Sequence, residues 1–178
     1  MKKSLIGALI AIAASAAVLV AASAILSPIA QRNTEAERQE MMATLLPGST
    51  TFTPEEYTGE DAAIRSVHKG EGGYVIETVT AGYVGDITMM VGVSSEGKIT
   101  GVVVRNMEET YGLGSNALQD IDFLSQFLNT SGDAAVGENV DAMTGATVSS
   151  KAIARGVNSA AAFVTGADVS SSATEWEG

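Results

Sequence analysis

The sequence predicts an α+β fold: one membrane-spanning helix at the N-terminus, then a single compact domain built on an antiparallel sheet. Three observations predict it. Residues 5–29 form one uncharged apolar run. Several β-branched segments follow, two of them flanking a Ser95-Glu96-Gly97-Lys98 turn. Further on, apolar residues recur at helical spacing in two separate stretches.

The elements are justified in chain order. Leu5 to Ile29 carries no charge, and Lys2 and Lys3 precede it. As a helix it measures roughly 37 Å, enough to cross a hydrocarbon core of about 30 Å with some tilt. The basic residues place the N-terminus in the cytoplasm and the remainder outside. A cleaved signal peptide is the competing reading, because Ala22-Ser23-Ala24 resembles a cleavage site. The apolar run continues past that site, which favours a retained anchor. Thr34-Glu35-Ala36-Glu37 reads as a capping box opening an amphipathic helix to about Leu46, stopped at Pro47-Gly48. Its Met41, Met42, Leu45 and Leu46 are expected to pack onto the domain, with Ser49 to Thr58 as loop.

Ala63 to Val67 is a weak strand candidate. Gly73 to Thr80, Asp86 to Ser94 and Ile99 to Asn106 are stronger ones, the last two forming a hairpin. Met89 and Met90 fall in a strand, one facing the core, and Tyr74 and Tyr83 read as sheet residues. Asn116 to Leu128 reads as a helix capped by Ser115 or Asn116. Asp133 to Val140 has no clear period. Val148 to Val164 is the closing helix, ended by Gly166, and the polar tail runs from Asp168 to Gly178.

Composition excludes several functions. The chain has no Cys, so thiolate metal sites, iron–sulfur ligation and disulfides within it are impossible. Its one histidine, His68, lies in a polar stretch and reads as an exposed loop residue, with no nucleophile-elbow pattern beside it. Only Lys2 and Lys3 precede the apolar run, so beyond it eight basic residues face all 21 acidic ones, a net charge of −13. Nucleic acid is therefore not an expected partner, because phosphate binding needs a basic face.

Two motifs carry chemistry. Asp141 to Ser150 reads DAMTGATVSS, a turn running into the closing helix with Thr147 where that helix would begin. A helix start offers unpaired N–H groups and a dipole that favours phosphate. Thr144 or Thr147 could equally be no more than a helix cap. Lys151 and Arg155, one turn apart just beyond, could complement a phosphate or form a solvated face. The second motif, Glu109-Thr110-Tyr111-Gly112-Leu113-Gly114, directly follows the last predicted strand. Its glycines would let backbone approach an aromatic ring, with Leu113 as an apolar contact.

Together, D-x-x-[ST]-G-A-T-x-[ST] and ETYGLG resemble the FMN-binding domain family, found in the G subunit of the Rnf complex and in its NqrC relative. The resemblance implies FMN joined through its phosphate to Thr147 by a flavin transferase. Thr144, Gly145, Ala146, Ser149 and Ser150 would surround that attachment, and Glu109, Thr110 and Leu113 would lie beside the flavin. Tyr111 stands where the family usually has Pro, which frees the loop's φ. The resemblance further implies an electron-carrying subunit of a membrane ion-translocating ferredoxin:NAD oxidoreductase, with the other integral and peripheral subunits and membrane lipid as partners. No catalytic acid–base residue and no metal is expected. The implied division is 1–4 cytoplasmic, 5–29 transmembrane, 30–58 linker and amphipathic helix, 59–166 FMN-binding domain and 167–178 tail. Alternatives of other kinds are an Nqr-type quinone-reductase subunit, a stand-alone extracytoplasmic flavin carrier, and an anchored acidic binding module without flavin.

Overall fold

The computed structural model describes residues 34–107 and 120–167. The chain divides into two units, Met1–Gln39 and Glu40–Gly178. Among the described residues no helix is long and apolar enough to cross a membrane, and the expected anchor at 5–29 lies outside them. Of the first unit, residues 34–39 are helical, with Gln39 Nε2 donating to Glu35 Oε1 at 2.8 Å. The described helical residues 34–45 are labelled α1.

The second unit is a five-stranded antiparallel sheet in sequential order: β1 (Thr53–Glu55), β2 (Ile64–Gly70), β3 (Gly73–Ala81), β4 (Asp86–Ser94) and β5 (Ile99–Met107). Two helices follow, α2 (Ile121–Ser125) and α3 (Thr147–Thr165). The expected α+β class and antiparallel sheet are present. The β4–β5 hairpin turns where the sequence predicts, with Gly97 at φ +80° and Ser94 N–H donating to Lys98 O at 2.8 Å.

The sheet is covered on both faces, which is why β4 reads as a nearly unbroken apolar run. One face packs against α3 through Ile76, Met89 and Val91, the other against the end of α1 through Val75 and Met90. Met89 and Met90 are thus both buried, each in its own core layer. Met42, Leu45 and Leu46 complete the second layer as expected. The last turn of α1 sits where two glycines, Gly92 and Gly101, pair across β4 and β5. A Cβ at Gly92 would lie 2.1 Å from Leu45 O, so the helix approaches the bare backbone. Thr100 Oγ1 donates to that same Leu45 carbonyl at 2.6 Å, ending the helix.

Four sequence expectations need correction. Ser49 to Thr58 contains a strand, β1, whose central Pro54 is tolerated because β1 is an edge. His68 belongs to β2 and is buried; its cross-strand partners are Pro54 and Val75, which puts it on the face that carries the second core. The helix expected over 116–128 is, in its described part, one short element. Asp120 caps it, its carboxylate accepting from Phe123 N–H at 2.9 Å; the cap expected at Ser115 or Asn116 lies outside the described residues. Of the apolar residues read at helical spacing, Phe127 is buried, in edge-to-face contact with the buried Phe123, while Ile121 and Leu128 are exposed. Tyr74 is a sheet residue, packed edge-to-face on Phe163. Tyr83 is not: it stands exposed in the β3–β4 turn.

Candidate functional site

Helix α3 begins at Thr147 and ends at Gly166, which adopts φ +68° and donates to Ala162 O at 2.8 Å. Its buried face is made mostly of small residues, and this lets it lie close on the sheet. A Cβ at Gly156 would come within 2.8 Å of Thr78 Oγ1.

The turn before it is built from Met143 to Ala146. Ala146 N–H donates to Met143 O at 3.0 Å, and Gly145 sits at φ +74°, the third turn position of a type II turn. Met143 and Ala146 are buried while Thr144 and Gly145 form the exposed tip. Ser150, wholly buried one turn into α3, clamps this turn. Its Oγ accepts from Met143 N–H at 3.0 Å and donates to Ala146 O at 2.9 Å. Ser149 is buried beside it. Ser150 therefore holds the backbone that presents Thr147 and is itself out of reach of solvent.

Thr147 is exposed and is the first helical residue. The residue in the capping position is Ala146, with no side-chain cap. The reading of Thr144 or Thr147 as a simple helix cap is thereby overturned. Without a capping side chain, the N–H groups of the first turn at Thr147, Val148 and Ser149 have no intrahelical acceptor. No acidic residue lies in that first turn, although the chain as a whole is strongly acidic. Lys151 is exposed and Arg155 half-buried, at positions four and eight beyond Thr147 on the same helical stripe. The end of α3 thus meets solvent with an exposed hydroxyl and a positive dipole end.

Two amide side chains strap the preceding segment in place. Asn158 accepts from Ala134 N–H at 3.1 Å and donates to Ala134 O at 2.9 Å. Gln126 Oε1 accepts from Asp141 N–H at 2.7 Å, and its Nε2 donates to Asp141 O at 3.4 Å. The motif's first residue, Asp141, is therefore positioned by its backbone, its side chain being exposed. Sequence reasoning missed Ser150's clamp and both amide straps. The signal was polar residues at 150 and 158 on the face that also holds Ile153 and Val157, where a buried polar group must find a partner.

Glu109, Thr110, Tyr111 and Leu113 lie outside the described residues. The sheet nevertheless fixes where the chain enters that run. Met107, at the end of β5, pairs with Ile87, which pairs with Thr80, whose Oγ1 donates to Ala152 O at 2.9 Å. The chain leaves β5 at the end of the sheet where α3 starts.

The model for the FMN-binding domain matches residues 82–162, which contain both motifs. The G subunit of the proton-translocating ferredoxin:NAD(+) oxidoreductase complex of Clostridium ljungdahlii is 38% identical over 99 residues, 52% of this chain and 53% of that one. The G subunit of the Na(+)-translocating ferredoxin:NAD(+) oxidoreductase complex of Acetobacterium woodii is 35% identical over 95 residues, 48% and 46% of the two chains. The chain thus spans about half the length of these two curated relatives. The G subunit of the ion-translocating oxidoreductase complex of Methanosarcina acetivorans matches at 32% over 171 residues, 88% of this chain and 90% of that relative.

Proposed function

The chain belongs to the G-subunit family of Rnf-type ion-translocating oxidoreductase complexes, and from that premise we propose that it carries FMN as a phosphoester on Thr147 and passes electrons within such a complex. The observation that carries this reading is the presentation of Thr147: exposed, first in α3, uncapped, and set on a turn clamped from behind by Ser150. A phosphoryl group on Thr147 Oγ1 would be held by the N–H groups of the first turn, with no carboxylate in that turn to repel it. Thr144, Gly145 and Ala146 shape the approach, and the buried Ser149 and Ser150 serve as support. Lys151 and Arg155 add positive charge along the same stripe. Glu109, Thr110 and Leu113 are assigned to the flavin's surroundings through the family motif.

When bound, FMN supplies the one- and two-electron chemistry; the protein supplies tethering, orientation and the polarity around the ring. No side chain need act as acid or base. The substrate pair we assign to the whole complex is ferredoxin and NAD, with an ion moved across the membrane. The chain's partners are then the other integral and peripheral subunits, lipid around a helix at 5–29, and a flavin transferase for maturation. Lys2 and Lys3 ahead of that helix support an outward-facing domain by the positive-inside rule. There a dissociated flavin would be lost by dilution, and an ester prevents its escape.

The test is co-expression with an active flavin transferase and separation on a denaturing gel. A fluorescent flavin band in the wild-type chain that disappears in Thr147→Val supports the reading. A transferase-competent host yielding no such band overturns it.

A further inference from the structure

Among the described residues, few large apolar side chains stand in solvent, and three of them gather near one end of the sheet. Tyr83 is 71% exposed and Val84 63%, side by side in the four-residue connection from β3 to β4, and Val148 is exposed next to Thr147. The connection is closed by Gly82 N–H donating to Gly85 O at 2.9 Å. Turn tips favour Gly, Asn, Asp, Ser and Pro, so a Tyr-Val pair there is not explained by the turn. Both side chains are largely exposed to solvent.

Register supplies the link to Thr147. Helix α3 runs antiparallel to β3, pinned at three levels. Ala152 O accepts from Thr80 Oγ1, Gly156 lies against Thr78, and Phe163 meets Tyr74 with ring centroids 5.3 Å apart. Thr147 lies five residues before Ala152, about 7.5 Å further along the helix, or a little over two residues of strand beyond Thr80. That brings Thr147 level with Gly82 and Tyr83.

We propose that the Tyr83-Val84 tip of the β3–β4 hairpin is an apolar wall for the isoalloxazine ring of the flavin tethered at Thr147. The proposal rests on the Thr147 reading and deepens it. A ring tethered there needs one flat, apolar surface within reach of the tether, and Tyr83 offers an aromatic face with Val84 beside it. The exposed Ile121 and Leu128 do not compete for this role. They flank a groove at the Ile99 end of β5, away from the Met107 end that pairs towards the β3–β4 tip.

The experiment uses the full-length chain co-expressed with a flavin transferase, as wild type, Tyr83→Ala, Tyr83→Phe and Val84→Ser. Intact mass first reports the flavin load, and every optical reading is made on the flavinylated fraction. Visible circular dichroism of the flavin and quenching of its fluorescence by iodide then report how the ring is held. The expected result is a several-fold rise in the iodide quenching constant and loss of most of the visible dichroism in Tyr83→Ala. The same direction, to a smaller extent, is expected in Val84→Ser, with both properties retained in Tyr83→Phe. Variants indistinguishable from wild type in both readouts overturn the wall while leaving the tether intact. A wild-type chain without flavin mass on Thr147 overturns the underlying reading instead, and the mass separates the two failures.

Discussion

Replacing Ser150 with Ala removes the clamp behind Thr147 without touching any exposed atom. The two ends of the clamp differ in what they lose. Ala146 O keeps a donor, because Ser150 N–H also reaches it at 2.9 Å. Met143 N–H loses its 3.0 Å acceptor in a buried setting. An orphaned buried donor costs about 1–3 kcal/mol, and Ala recovers roughly 0.5 kcal/mol of helix propensity over Ser. The expected net loss is about 0.5–2.5 kcal/mol, which at roughly 3–5 °C per kcal/mol for a domain of this size lowers Tm by about 2–12 °C. Thermal and urea melts of Ser150→Ala against wild type measure it, with Lys151→Ala as an exposed control expected within about 0.5 kcal/mol. The initial rate of flavin loading by the transferase is expected to fall too, since Thr147 is then presented by a looser turn. A Ser150→Ala chain as stable as the control and loaded at the wild-type rate refutes the clamp.

Two further substitutions test the packing that positions the site. Gly92→Ala places a Cβ 2.1 Å from Leu45 O, a backbone atom that cannot turn aside; a loss of about 1–3 kcal/mol is expected in urea melts, and a neutral result would mean that α1 does not seat on the sheet there. Asn158→Leu leaves both the N–H and the carbonyl of Ala134 without their side-chain partner. It should cost about 2–4 kcal/mol, more than Ser150→Ala, and raise amide exchange across residues 131–140; unchanged exchange would refute the strap.

The sheet was legible because its strands bury two faces. Runs such as Asp86 to Ser94 leave no helical reading, and the Ser95 to Lys98 turn fixes their pairing. β1 was not legible, since a three-residue edge strand centred on Pro54 is held only by its neighbour β2. His68 was misread for a related reason: SVHKG is locally polar, and only pairing with Val75 and Pro54 puts the imidazole on a covered face. The apolar spacing read over 116–128 put Ile121 and Leu128 on a buried stripe, yet both are exposed, and the described helix starts after its cap Asp120 and ends at Ser125. The turn at Met143 to Ala146 and the start of α3 at Thr147 were legible through the Thr-Gly-Ala-Thr run, which specifies local backbone. Ser150, Gln126 and Asn158 act on Met143, Asp141 and Ala134 at separations of 7, 15 and 24 residues. That Tyr83 stands level with the start of α3 had no sign in one dimension, because it follows from the antiparallel register of α3 on β3.

The central claim is a covalent flavin on Thr147, and peptide mapping by tandem mass spectrometry addresses it most directly. The chain is expressed with an active flavin transferase, digested, and the peptide spanning residues 141–151 sequenced. The account predicts a flavin phosphoryl adduct on Thr147, none on Thr144, Ser149 or Ser150, and no adduct in Thr147→Val. An unmodified Thr147 in a host that flavinylates a control substrate, or an adduct carried by another residue, contradicts it.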